Sequence, residues 1–114
     1  MTKQNPTFKI SVAKDFSPYP AGRYIADSNL SGQVFRENLL APTLKNDGNV
    51  LVDLDGTEGY GSSFLEEAFG GLIREEGFDL PDLMQRLTFK SNEDPSLIEE
   101  IIGYLKDAAT DKNP

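Results

Sequence analysis

Asp53 and Asp55 flank Leu54 at the end of an apolar run, Val50 to Leu54, and Gly56 and Thr57 follow. Two carboxylates at a strand end suit a hard divalent cation, and magnesium-assisted phosphoryl chemistry is what they would serve. The same pair can instead close the strand and accept turn hydrogen bonds, which is the expectation here. Gly59-Tyr60-Gly61-Ser62-Ser63 comes next. Successive N–H groups of a glycine-rich loop can converge on an anion, so a small anionic ligand or nucleotide is one alternative occupant. The loop lacks the Gly-Lys-Ser/Thr of a P-loop and the Gly-x-Gly-x-x-Gly spacing of a dinucleotide site. A nucleophilic serine needs a base, yet the chain has no histidine and this loop has no lysine. Ser63-Phe64-Leu65-Glu66 reads as a capping box, with Ser63 and Glu66 satisfying free N–H groups of a new helix. Ser62 is then left without a structural duty. A phosphate on it would lie at the positive end of a helix and add roughly −1.5 to −2 charge.

To hold these residues, the chain needs a strand, a turn and a helix start, and the surrounding pattern supplies them. Thr7 to Val12 alternates, with Phe8, Ile10 and Val12 on one face of a strand. Gly22 to Ile25 reads as a short second strand, and Val50 to Leu54 as the next. Ser31 is placed to cap a helix from about Gly32 to Leu40. Pro42 either ends that helix or starts a second turn carrying Leu44. After Ser63, apolar residues at Phe64, Leu65, Ala68, Phe69, Leu72 and Ile73 recur at helical spacing. Gly70-Gly71 inside this helix costs roughly 1 kcal/mol per glycine, which points to a close neighbour, and Gly77 is placed as its C-terminal cap. Asp79 to Arg86 allows one or two helical turns. Leu87 to Ser91 alternates as a last strand, and Asp94-Pro95 opens a helix striped by Leu97, Ile98, Ile101, Ile102 and Leu105. The sum is an α/β fold: a small mixed sheet of about four strands with helices packed mainly on one face.

Bulk composition narrows the function. At 114 residues and 38% hydrophobic, residues 1–114 read as one domain, with 1–6 and 110–114 expected to be flexible. No apolar run approaches the roughly 18 residues of a membrane span, and Met1 to Pro6 lacks the apolar core of a signal peptide. There is no cysteine, so thiolate metal sites and disulfides are absent. With 19 acidic and 11 basic residues and a net charge of −8, the chain repels phosphate backbones and anionic lipid. The expectation is a cytoplasmic protein with no nucleic-acid or membrane partner, no cofactor, no metal and no catalytic residue. Tyr19, Tyr24 and Tyr60 are expected to pack in loops or core rather than to form a binding surface. Arg36 is expected to make an exposed helix-face pair that contributes little.

Two resemblances sharpen this. Asp53-Leu-Asp-Gly-Thr57 resembles the first motif of haloacid-dehalogenase-type phosphatases, in which the first Asp is a nucleophile and the second a general acid around magnesium. No later strand ends in the further acidic pair such enzymes use. The longer segment Leu51-Val-Asp-Leu-Asp-Gly-Thr-Glu-Gly-Tyr-Gly-Ser-Ser-Phe64 resembles, without a gap, the core motif of STAS domains, the anti-sigma-factor antagonist fold. Ser31-Gly32-x-x-Phe35-Arg36 and Gly56 to Gly71 resemble a STAS-like family of unknown function (DUF4325) found in bacteria and their phages. That resemblance spans most of residues 7–105. It implies a non-catalytic regulatory domain that binds another protein, in the antagonists a histidine-kinase-like ATPase that can phosphorylate the first serine of the motif. By position that serine is Ser62, with Thr57, Glu58, Gly59, Tyr60 and Gly61 as the contact loop. Gly61 stands where the antagonists carry Asp, and Phe64 where they carry Gly.

Overall fold

The computed structural model describes residues 7–112. The expectation for residues 1–6, and that for 113–114, falls outside the described residues. Strand β1 (Thr7–Ser11) leads into one π-helical turn (Val12–Phe16), and an irregular segment then runs to Ser31. Helix α1 covers 32–44, β2 is Asn49–Asp53, and α2 covers 62–74. Helix α3 (Leu80–Arg86), β3 (Leu87–Lys90) and α4 (Ser96–Lys112) complete the chain.

Three strands pair in the order β1-β2-β3, both pairs parallel. The described residues thus hold a three-stranded parallel sheet where a mixed sheet of about four was expected. The missing strand is Gly22–Ile25. That stretch turns back on itself, with Asp27 N–H and Ser28 N–H donating to the Tyr24 carbonyl at 2.8 and 3.2 Å, so its backbone cannot join a ladder.

Register assigns the two faces. Phe8, Val50 and Leu87 align, as do Ile10, Val52 and Phe89. These side chains enter the core with Phe35, Leu40, Phe64, Leu65, Phe69 and Leu72. Thr7, Lys9, Leu51, Thr88 and Lys90 alternate onto the other face, where all but the half-buried Leu51 are exposed. A strand order that steps in one direction, with crossovers of one hand, places both crossover helices on the same face.

Helix α1 starts at Ser31, whose hydroxyl accepts from Val34 N–H at 3.3 Å, as expected. It continues through Pro42 to Leu44. A π-helical stretch (Arg36–Leu40) widens the turn just before the proline, and Ala41 N–H reaches back five residues to the Arg36 carbonyl. The wider turn eases the clash a proline ring makes with the preceding turn. Arg86 closes the far end, donating from Nη2 to the Leu44 carbonyl at 2.5 Å and from Nε to that of Gly48 at 2.7 Å. Gly77, at φ +82°, ends the turn after α2 as expected. Asp94 supports the start of α4 by accepting from Ser96 N–H at 3.2 Å, and α4 runs to Lys112, past the point where a flexible tail was expected.

Gly32 and Gly71 both sit where helices pack closely. A Cβ on Gly32 would overlap the Phe64 carbonyl oxygen and lie 3.1 Å from Ala68 N, so α1 and α2 touch backbone to backbone. A Cβ on Gly71 would overlap the Arg36 guanidinium, 2.8 Å from Cζ.

Candidate functional site

The central strand ends at Asp53, and its carboxylate is already engaged. Oδ1 accepts from Asp55 N–H at 3.0 Å. Oδ2 lies 3.8 Å from Lys90 Nζ and 4.0 Å from Lys9 Nζ, on the neighbouring strands. Asp55 points the other way and accepts from the N–H groups of Asn92 and Glu93 at 3.2 and 3.0 Å. Glu93 returns the contact, accepting from Gly56 N–H at 2.8 Å. The two aspartates therefore do separate structural work: one finishes the sheet, the other latches the β2–α2 loop to the β3–α4 loop. Among the described residues no group of three or more carboxylates is placed to hold one metal ion.

Tyr60 fixes the loop from inside. Its hydroxyl donates to the Leu54 carbonyl at 2.8 Å, and its ring packs at a 42° tilt against that of Phe64, 5.9 Å between centroids. Burial pushes the phenol up to about 12, against a hydrogen bond from Thr57, with Asp53, Asp55 and Glu93 adding to the rise. A third tie comes from outside the loop: Glu58 N–H donates to the Pro18 carbonyl at 2.8 Å. Between these ties Glu58, Gly59, Gly61 and Ser62 stay exposed and Thr57 is half-buried. The result is a rigid base carrying an exposed tip. The loop borders a cavity of about 330 Å³ that includes Asp55, Glu58, Glu93 and Asp94 in its wall. Four carboxylates with no basic residue in the wall disfavour an anionic occupant.

The capping box expected at Ser63 and Glu66 does not form. The helix begins two residues earlier, with Gly61 in place of Ser63 as N-cap at φ −77° and ψ 149°. Glu66 N–H donates to the carbonyls of Ser62 and Ser63, so the Ser63 hydroxyl has no cap to make. The Glu66 carboxylate is taken by two cations, Arg23 and Arg74. Burial pushes the Glu66 carboxyl up, but the bonds from Arg74 and Arg23 outweigh it and leave the group below its ordinary value. Both arginines are raised in turn, chiefly by their bonds to Glu66.

Ser62 and Ser63 both lie exposed in the first turn of α2. The Tyr104 hydroxyl of α4 reaches Ser62 and donates to Glu100 Oε2 at 2.7 Å. The hydrogen bond to Glu100 raises this phenol, burial adds to the rise, and Ser62 opposes both. Neither Tyr104 nor Glu100 carries a signal in the sequence that would link it to Ser62, some forty positions earlier.

Arg36 also departs from expectation. It is 2% exposed, and its Nη1 donates to the Glu67 carbonyl at 2.7 Å and to Glu67 Oε2 at 2.6 Å. Its Nε donates to Glu76 Oε2 at 3.1 Å. The expected surface pair is a buried charge network between α1 and α2. Tyr19 and Tyr24 likewise do not pack inward; they are 62% and 50% exposed.

The Ser31-Gly32, Phe35-Arg36 and Gly56-to-Gly71 residues thus form one unit: two helices in backbone contact, a buried arginine and a latched loop. A family model described as "STAS-like domain of unknown function (DUF4325)" matches residues 31–97. The chain belongs to this STAS-like family. The matched region opens at the cap of α1 and closes in the first turn of α4, so it contains the loop and both serines. No curated protein and no solved structure matches the chain. Among the described residues of this STAS-like domain, no helix is long and apolar enough to cross a membrane.

Proposed function

We propose that this STAS-like domain is a non-catalytic, cytoplasmic regulatory module that binds another protein through the loop from Thr57 to Gly61 and the first turn of α2. Its partner is a histidine-kinase-like ATPase, and phosphorylation of Ser62 sets its affinity. The observation that carries this reading is the division of labour in the loop. Its base is tied by Asp55, Glu93 and Tyr60, while Glu58, Gly59, Gly61 and Ser62 are left exposed. Loops held this way on a rigid scaffold carry function without needing to order on binding. The helix N-terminus favours a phosphate at Ser62, while Glu66 and Glu100, both near Tyr104, would face its added charge.

Calorimetric titration against the histidine-kinase-like ATPase of the same genome, with and without magnesium ATP, tests the proposal. A complex is expected for wild type and Ser62→Ala, at least tenfold weaker binding for Ser62→Asp, and a phosphoryl mass increment on Ser62 alone. If wild type and Ser62→Asp bind equally and no phosphoryl group appears, the switch is refuted.

A further inference from the structure

The exposed large apolar side chains are not scattered. Tyr19 (62% exposed), Tyr24 (50%) and Ile25 (57%) fall within seven residues; Met84 (46%) is the other one among the described residues. All three lie in the irregular segment between β1 and α1, before the region shared with the family.

That segment is fixed by its own backbone. Tyr19 N–H donates to Ser17 Oγ at 2.9 Å and Ala21 N–H to the Leu30 carbonyl at 2.9 Å. Tyr24 N–H donates to Asp27 Oδ2 at 3.0 Å and Ile25 N–H to Gln33 Oε1 at 2.9 Å. Gly32 N–H and Gln33 N–H, at the start of α1, donate to the carbonyls of Gly22 and Arg23 at 2.9 and 3.0 Å. Arg23 is anchored on Glu66. A loop free to move could fold such side chains inward. Here the bonds hold two tyrosines and an isoleucine in water, the arrangement that lowers the ordering cost of an interface and supplies its usual anchors.

Charge identifies the occupant. The three arginines near the patch, Arg23, Arg36 and Arg74, are all held by carboxylates. Lys45 is held likewise by Glu76, and Glu37, Glu67 and Glu76 are all paired, but among the described residues Glu58, tied to Pro18 beside Tyr19, and Glu75 form no salt bridge. Glu75 lines a cleft of about 330 Å³ together with Tyr24, Gln33, Arg36, Glu37, Glu67 and Glu76. The surplus negative charge calls for a cation from outside, and the ring of Tyr24, with Arg23 Cζ 6.0 Å from its centroid, is a surface on which a guanidinium rests.

We infer that segment 18–27 is a docking face for a basic protein segment in which apolar side chains alternate with arginine or lysine. The apolar side chains meet Tyr19, Tyr24 and Ile25, and a basic head enters the cleft beside Tyr24. This rests on the reading that the domain works by binding a protein, but not on Ser62.

The test is an NMR titration of the isotope-labelled full chain with three synthetic peptides: an Arg/Leu peptide, a Glu/Leu peptide of the same apolar spacing, and an Arg/Gly peptide. Saturable shifts at the amides of Tyr19, Tyr24, Ile25 and Gln33 are expected with the Arg/Leu peptide alone. Tyr24→Ala combined with Ile25→Ala is expected to weaken that binding at least tenfold, with an unchanged circular dichroism spectrum. Equal shifts from either control peptide, shifts confined to other residues, or self-association of the chain through this patch would overturn the inference. The titration is expected to be unchanged in Ser62→Asp; loss there would place the contact on the serine turn and refute it. Docking that persists while the ATPase neither binds nor phosphorylates Ser62 would refute the switch and leave this face standing.

Discussion

Glu66 shows how a residue can be given the wrong task by its neighbours in sequence. Three positions after Ser63 it fits a capping box, but two guanidinium groups offer it stronger, charge-assisted bonds than one backbone amide does. Ser63→Ala is therefore expected to change unfolding free energy by less than about 0.5 kcal/mol, where loss of a working cap would cost about 1 kcal/mol; urea denaturation separates the two. Glu66 itself gives a pH prediction. Its carboxyl is lowered in the folded state from an ordinary value of 4.5, so the folded state binds fewer protons than the unfolded one near that pH. Its contribution is complete above about pH 4.5 and is lost as pH falls through the lower folded value. The urea midpoint of wild type should hold down to about pH 5 and then fall, and Glu66→Gln should show a shallower fall over that window.

Between elements, the decisive contact is the one that puts Arg36 of α1 against Gly71 of α2. Removing the arginine leaves the buried carboxylate of Glu67 and the half-buried one of Glu76 short of a partner, and Arg36→Leu is expected to cost about 3–5 kcal/mol. Gly71→Ala displaces the same guanidinium and should also be strongly destabilising. Because both act on one contact, the double variant should cost much less than the two single costs added, and a double-mutant cycle measures the difference. The periodicities of α1, α2 and α4 and the three strands were legible in the sequence, because local apolar spacing determines them. So was the tight neighbour behind Gly70-Gly71, though not its identity. Arg36 and Glu67 are 31 residues apart, and Asp55 and Glu93 are 38 apart; such pairs are created by the fold and have no local signature. Gly22–Ile25 failed as a strand for the same reason: its β-like composition lost to turn bonds made by Asp27 and to contacts with the start of α1. At the site, the position of Ser62 at a helix start was readable. Its neighbour Tyr104, contributed by the last helix, was not.

The whole molecule is a one-faced sheet, and this is unusual for parallel strands, which are normally covered on both faces and apolar throughout. Here the alternation of Thr7 to Ser11 and Leu87 to Lys90 sets one face apart as polar, with Lys9 and Lys90 pairing Asp53 across it. The sequence displayed the alternation but not the strand direction. If the polar face is free in solution, the two faces must respond differently to substitution. Val52 is 0% exposed on the covered face, and Val52→Ala removes buried methyl groups at a cost of about 2 kcal/mol. Leu51, one residue away and half-buried on the other face, should lose less than about 1 kcal/mol on change to Thr, a residue that suits a strand. Urea denaturation at two protein concentrations reads both effects at once. A concentration-independent midpoint with the Val52 effect at least twice the Leu51 effect is expected. Equal effects, together with a midpoint that rises with concentration, would mean that a second copy covers the open face, since only association makes stability depend on protomer concentration.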